Sequence, residues 1–193
     1  MRTMINLIWS LTIALILFFA SAALAQESKF TILPGDLLHI NVWKEEGLDQ
    51  EVLVLPDGTI TFPLVGTLNV RNMSPADLQT TLRTKLQPFV PTSAVTVSVK
   101  APTGHKVSVV GQVQDPGEII LSTQMGVMQA LSQVGGLTPY ADEDEIIIIR
   151  ETPGVGKQTI SYPYSQIAKG KELEKDLSLV PGDVVMVPAA GLF

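Results

Sequence analysis

Residues 33–43 read LPGDLLHINVW, and residues 180–188 read VPGDVVMVP. In each, a Pro-Gly-Asp turn runs into an apolar, β-prone stretch. Pro34 presets φ at the second position of a type II turn, and Gly35 accepts the positive φ that the third position needs. Asp36 can then hydrogen-bond nearby backbone amides as the strand over 37–43 begins. Pro181, Gly182 and Asp183 repeat the device before VVMV. One copy opens the first half of the chain and the other closes the second half. The two are not at equivalent places, so they do not mark an internal duplication.

Outward from the first turn, EVLVLPDGTITFPLVGTLNV (51–70) reads as two or three short strands. Asp57-Gly58 between VLVLP and TITFP is a hairpin signal. Pro63 marks a strand end, and Gly66 a second turn or bulge. A helix is predicted next. Ser74 suits the N-cap, Pro75 the first helical position, and Asp77 the positive end of the dipole. Leu78, Leu82 and Leu86 form one apolar stripe, and Pro88 stops it. In VTVSVK (95–100) apolar and polar residues alternate, which describes a half-buried strand. These elements predict one sheet covered on one face by a helix.

APTG (101–104) marks a boundary, and a similar scheme follows. KVSVVGQV is read as a strand, with Gly111 within it. Asp115-Pro116-Gly117 is read as a turn and EIIL as the next strand. Thr123 is the expected cap of a helix that turns Val127, Met128, Leu131 and Val134 to the core, and Gly135-Gly136 stops it. The uninterrupted EIIIIR (145–150) is expected to be buried on both faces. TPGVGK is a turn, QTISY a strand, and residues 164–169 a short helix. The fold class is therefore α+β, as two small sheet-plus-helix domains over 26–103 and 104–193.

Residues 1–25 read as a secretory signal peptide. Arg2 precedes the apolar run INLIWSLTIALILFFA (5–20), and Ala23 and Ala25 are the small residues that precede cleavage before Gln26. The run is shorter than the roughly 20 residues of a membrane span. Removing it takes Arg2 from a chain of formal net charge −6 and leaves −7. An acidic chain with scattered bases does not suit nucleic acid. The absence of cysteine excludes disulfides and thiolate metal sites. The expected location is outside the cytoplasm, in a periplasm.

The residues that carry chemistry are few. His39 and His105 have no partners at metal-ligand spacing. Asp142-Glu143-Asp144-Glu145 lacks the alternation and glycine of a calcium loop, and reads as a solvated turn guarding an apolar strand. Asp36, Asp57, Asp115 and Asp183 each adjoin Gly or Pro, so turn chemistry accounts for them. The serines lack a nucleophile-elbow setting, and VGQVQDPG and TPGVGK lack phosphate-loop spacing. The expectation is no enzyme, no metal and no cofactor. Trp43 and the pair Tyr162/Tyr164 could stack on sugar rings. For Trp43 and Phe62, packing in the core or at an interface is the stronger expectation.

Taken in order, ILPGDLLHINVW, LPDGTITFPLVGTLNV, SPADLQTTLRTKL and VTVSV resemble the export domain of the outer-membrane polysaccharide export proteins. VSVVGQVQDPGEIIL, MQALSQVGGLTPYADEDEIIIIR and LVPGDVVMVP resemble the soluble-ligand-binding β-grasp (SLBB) module that follows it in that family. The resemblance implies a ring-forming periplasmic conduit for capsular polysaccharide or exopolysaccharide. It also implies that Pro34, Gly35, Asp36, Asp57, Gly58, Phe62, Pro63 and Gly66 shape the export domain. Gly111, Gly117, Gly135 and Gly136 would shape the second module. The chain resembles a short form of the family. It has no cysteine at position 26 to carry lipid and a single SLBB module. It ends at VPAAGLF (187–193), which leaves no room for the pore-lining helix of longer members. The implied partners are an inner-membrane chain-length or export protein and a separate outer-membrane β-barrel. The alternative expectation is a periplasmic protein that binds a glycan or other soluble ligand without forming a channel.

Overall fold

The computed structural model describes residues 30–91 and 94–191; the signal peptide expected over 1–25 lies outside them. Among the described residues, strands β1 (Leu37–Val42), β2 (Gln50–Leu53), β3 (Thr59–Phe62) and β4 (Gly66–Asn69) precede helix α1 (Pro75–Leu86) and strand β5 (Val95–Ala101). Then come β6 (Lys106–Gly111), β7 (Gly117–Ile120), α2 (Val127–Gln133), β8 (Ile146–Thr152), β9 (Gly156–Tyr162), α3 (Tyr164–Ala168) and β10 (Val184–Val187). The class is α+β, as the sequence predicts.

The first half is not one sheet. β2-β1-β5 form a three-stranded sheet, and β3-β4 form a separate two-stranded one. The turn at Asp57-Gly58 is made: Gly58 N donates to Leu55 O at 2.8 Å and Leu55 N to Thr59 O at 2.9 Å. Beyond that bond the flanking strands part, because β2 pairs with β1 and β3 with β4. The expected hairpin is thus a tight corner between two sheets. The gain is a closed core. Leu38, Ile40 and Val42 from the sheet, Ile60, Phe62 and Leu68 from the hairpin, and Leu78, Leu82 and Leu86 from α1 are buried in one cluster.

α1 begins as the sequence predicts. Ser74 Oγ accepts from Asp77 N at 3.2 Å, and Asp77 Oδ2 accepts from Ser74 N at 3.1 Å, a capping box that satisfies two amides the helix leaves open. α2 departs at its start. Its N-cap is Gly126 rather than Thr123. Gly126 N donates to Gln129 Oε1 at 3.1 Å, and Met128 N to Asp176 Oδ1 at 3.4 Å. The helix is capped from a distant loop, so the local Thr signal was beaten by a tertiary contact. Its end follows expectation. Gly135 and Gly136 both have positive φ; Gly136 N donates to Leu131 O and Gly135 N to Ser132 O, the two bonds of a Schellman stop.

The second half is a five-stranded sheet in the order β7-β6-β10-β8-β9, with β10 parallel to β6 and the other neighbours antiparallel. α2 and α3 pack on one face, where Val107, Val109, Ile146, Ile148, Val185 and Val187 meet Ala130, Leu131 and Ile167. EIIIIR is therefore not buried on both faces. Ile146 and Ile148 have no exposed surface, while Ile147 and Ile149 on the other side are only half-buried. Among the described residues, the helices of this half pack on the other side.

The glycines divide by physical need. Gly111 has φ +95, and a Cβ there would fall 2.0 Å from Val187 O. Gly58 has φ +78, and its Cβ would meet the Arg71 side chain at 2.8 Å. Gly66 needs only its positive φ. Gly117 has neither constraint, since its φ is not positive and a Cβ there meets nothing within 4 Å; it opens β7 instead of making a turn. We expect Gly58→Val to cost about 2 kcal/mol or more, because a β-branched residue resists the left-handed backbone. Gly117→Val should stay within about 0.5 kcal/mol. Thermal unfolding of both variants checks the contrast, and an unchanged melting temperature for Gly58→Val would overturn the turn assignment.

Candidate functional site

The two Pro-Gly-Asp turns are equivalent in physical detail. Asp36 N donates to Leu33 O and Asp183 N to Val180 O, each at 3.1 Å. Gly35 and Gly182 have φ of 94° and 92°. Both aspartates are buried, with 0% and 1% exposure. Each carboxylate accepts from the amide three residues back, Leu33 N and Val180 N, at 2.9 Å. Each turn also docks onto a strand by two backbone bonds. Gly35 N and Asp36 O bond the two groups of Val54, as in an antiparallel pair. Gly182 N and Asp183 O bond Lys106 O and Ser108 N, as in a parallel one.

The second oxygen of each carboxylate does different work. Asp36 Oδ1 accepts from Gly104 N at 2.9 Å, in the segment that joins the two halves. Thr103 Oγ1 donates to Gly35 O in the same place. His105 Nε2 lies 3.0 Å from Thr31 O and 3.3 Å from Asp36 Oδ2. A Cβ on Gly104 would fall 2.5 Å from Pro34 O, so only glycine fits this approach. Asp183 instead takes both prongs of Arg150: Nε to Oδ1 at 2.9 Å and an Nη to Oδ2 at 2.6 Å. Those hydrogen bonds raise the Arg150 pKa, against burial, which lowers it. Arg150 also reaches Ser178 O at 3.0 Å. Sequence reading missed Arg150 and Gly104. The signal was present in the first case, as one base ending a run of four isoleucines.

Asp57 and Asp115 are exposed. The Thr59 hydroxyl and amide lower the Asp57 pKa, so its work is in its own turn. His39 is paired with Asp49 at 2.7 Å on the open face of the first sheet. Asp142 accepts from Asp144 N, and Asp144 accepts from the Ser165 hydroxyl, so the acidic run is a turn before β8. Among the described residues, no three His, Asp or Glu side chains converge as metal ligands.

The aromatic residues separate clearly. Phe62 is core at 1% exposure, as expected. Trp43 is 65% exposed at the end of β1, so of the expected core or interface packing the structure excludes the core. Tyr162 has no exposed ring, so it cannot stack on a sugar. Its hydroxyl donates to Asp176 at 2.9 Å; burial first, then that bond, raises its pKa. Tyr164 packs half-buried against the same core. A surface depression of about 290 Å³ lies at the end of α1, lined by Arg83, Thr84, Gln87, Val90 and Pro91.

Two comparisons with known families bear on this geometry. Residues 24–100 match the family model described as polysaccharide biosynthesis/export protein, and residues 105–187 match the SLBB domain. The chain belongs to the outer-membrane polysaccharide export family. Its export domain holds the corner at Gly58 and the Asp36 turn. Its SLBB domain holds the Schellman stop and the Asp183–Arg150 pair. Between the two matches lie residues 101–104, the stretch that Asp36 holds.

Asp183→Ala should cost about 3 kcal/mol or more, because it leaves a largely buried guanidinium unpaired. Asp183→Ala combined with Arg150→Met should recover part of that loss, since no buried charge then remains. Urea denaturation of the single and double variants measures the difference. A double variant no more stable than Asp183→Ala would argue against a charge-pairing role.

Proposed function

We propose that this protein is a periplasmic, non-enzymatic component of a capsular polysaccharide or exopolysaccharide export system, and that copies of it assemble into a ring around the polymer's path. The observation that carries the reading is the ordered pair of modules, export domain first and SLBB domain second, spanning residues 24–187. Two physical features support it. The outer strands of each sheet leave backbone edges on which neighbours can pair, as ring formation needs. The charged side chains described above work inside turns and pairs, which suits a rigid conduit wall.

In this reading an inner-membrane chain-length or export protein delivers the polymer, and a separate outer-membrane β-barrel releases it. A second reading is a periplasmic glycan or soluble-ligand binder that forms no channel. The exposed Trp43 favours it, because an indole beside the polar sheet residues His39 and Asn41 could take a sugar ring. A closed oligomer supports the conduit, and a monomer with measurable sugar affinity supports the binder.

The test is a clean deletion, with polysaccharide measured separately outside the cell and within the envelope. The expected result is a fall in the extracellular pool that residues 1–193 restore. Two unchanged pools, with no second related protein covering the loss, would overturn the export reading.

A further inference from the structure

The open face of the first sheet carries an aromatic ring that the fold does not use. Side chains alternate along β1. Leu38, Ile40 and Val42 are buried in the core with α1 and the β3–β4 hairpin, while His39 and Asn41 lie on the opposite face. Trp43 N donates to Ala94 O at 2.9 Å, which carries the β1–β5 register one step past the end of β1. Trp43 therefore falls on the face of Asn41 and His39, and most of it lies in water. A polar open face is ordinary for an antiparallel sheet. A tryptophan on it is not, because so large a ring is highly buried on average. The backbone beneath the ring is held on both sides. The strand bond fixes Trp43 N, and the next turn closes from Glu45 N to Val42 O at 3.1 Å. Little ordering is therefore left to do when something binds.

The residues beside the ring are polar. In the β1–β5 register Asn41 lies opposite Thr96, and His39 opposite Ser98. Among the described residues, neither the Asn41 amide nor the Thr96 hydroxyl bonds another side chain or backbone group of the chain. The charged groups of the face are spent on one another: His39 takes Asp49 at 2.7 Å, and Lys100 takes Glu51. Just past the ring, Lys44 is followed by Glu45 and Glu46, which leaves a surplus of acid at this end of the sheet.

We infer that Trp43, Asn41 and Thr96 form a platform for a neutral sugar chain. The indole stacks on the C–H face of one hexose, and the Asn41 amide and Thr96 hydroxyl bond hydroxyls of the next. The inference rests on the polysaccharide reading and holds for a conduit and a binder alike. The chemistry of the face selects the occupant. A pyranose is apolar on its faces and polar round its rim, and an indole offers a flat apolar surface with one N–H at its edge. The centre of a protein interface is instead apolar and poor in charge, whereas this ring is bordered by an amide, a hydroxyl and the charges of residues 44–46. Glu45 and Glu46 would repel an acidic polymer, so the sugar is neutral. At a strand rise of about 3.3 Å per residue, Trp43 stands roughly 13 Å from His39, which leaves room for a few linked rings. One stacked ring and two bonds, all open to water, hold weakly. Weak holding suits a polymer that must move on.

Trp9 lies in the expected signal peptide, so Trp43 is the single tryptophan of the secreted chain and its fluorescence reads this site alone. The secreted protein is titrated with short neutral oligosaccharides of glucose, galactose and N-acetylglucosamine, and with a galacturonate oligomer. We expect at least one neutral oligomer to shift the Trp43 emission, saturating in the millimolar range, and the uronate to leave it unmoved. Saturation-transfer NMR, which observes the sugar, then tests the variants. Trp43→Ala should abolish the signal, and Asn41→Ala should weaken affinity about threefold. Both should keep the wild-type melting temperature, since neither side chain is in the buried cluster. Tyr140→Ala removes an exposed ring of the SLBB domain and should change nothing. Emission that no neutral oligomer shifts, a uronate that binds as tightly, or a signal that survives Trp43→Ala or vanishes with Tyr140→Ala would each overturn the proposal. So would emission that shifts on dilution without sugar, because a second copy would then cover the ring. The deletion described above separates this inference from the export reading. Lost extracellular polymer with a sugar-blind Trp43 removes only the platform. Two unchanged pools with a sugar-responsive Trp43 remove the conduit and keep the platform.

Discussion

A carboxylate withdrawn from water must be surrounded by donors, and the rest of this structure depends on two that are. Asp36 and Asp183 each close their own turn by accepting the amide three residues earlier. Each then has an oxygen left to spend on something distant. Asp36 takes Gly104 N, and so fixes where the chain passes from the export domain into the SLBB domain. Asp183 takes the guanidinium of Arg150, and so ties the start of β10 to the end of β8. An unpaired carboxylate would be costly at either place. Two turns that look alike locally thus anchor two different long-range connections.

Much of this was legible from local chemistry. Ser74-Pro75 with Asp77 specifies a helix start almost alone, and Gly135-Gly136 specifies a stop, because both act through bonds to neighbours within a few residues. The Pro-Gly turns were legible for the same reason. What was not legible depended on partners remote in sequence. Thr123 is a reasonable cap until Asp176, remote in sequence, supplies an acceptor to the amide of Met128. The Asp57-Gly58 corner is a hairpin signal until β1 claims β2 and β4 claims β3.

The aliphatic run before Arg150 is the most instructive misreading. Four isoleucines in a row describe a strand buried twice over, and the chain by itself buries it once. The period alone does not say which faces are covered: the helices of this half pack on the face of Ile146 and Ile148 and leave Ile147 and Ile149 half-buried. At the level of the site, the turn residues were found and their burial was not. Proximity to Gly and Pro explained Asp36 and Asp183 well enough that no further partner was sought. The family match then supplies what local chemistry could not, because it rests on two modules in order and not on any single residue.

The order of strands in the SLBB sheet has a kinetic side. β10 is the last described strand along the chain, yet it lies between β6 and β8. Before it is in place, β6–β7 and β8–β9 are two isolated hairpin-like pairs with no hydrogen bonds between them. Pairs of that size are marginal in water. On the proposed periplasmic reading this arrangement leaves the domain no stable sheet to jam while the chain crosses a membrane. Folding becomes cooperative only when VVMV arrives and joins both pairs at once. The centre of the sheet is the last strand of the domain along the described chain, so the topology ties completion of the sheet to that strand.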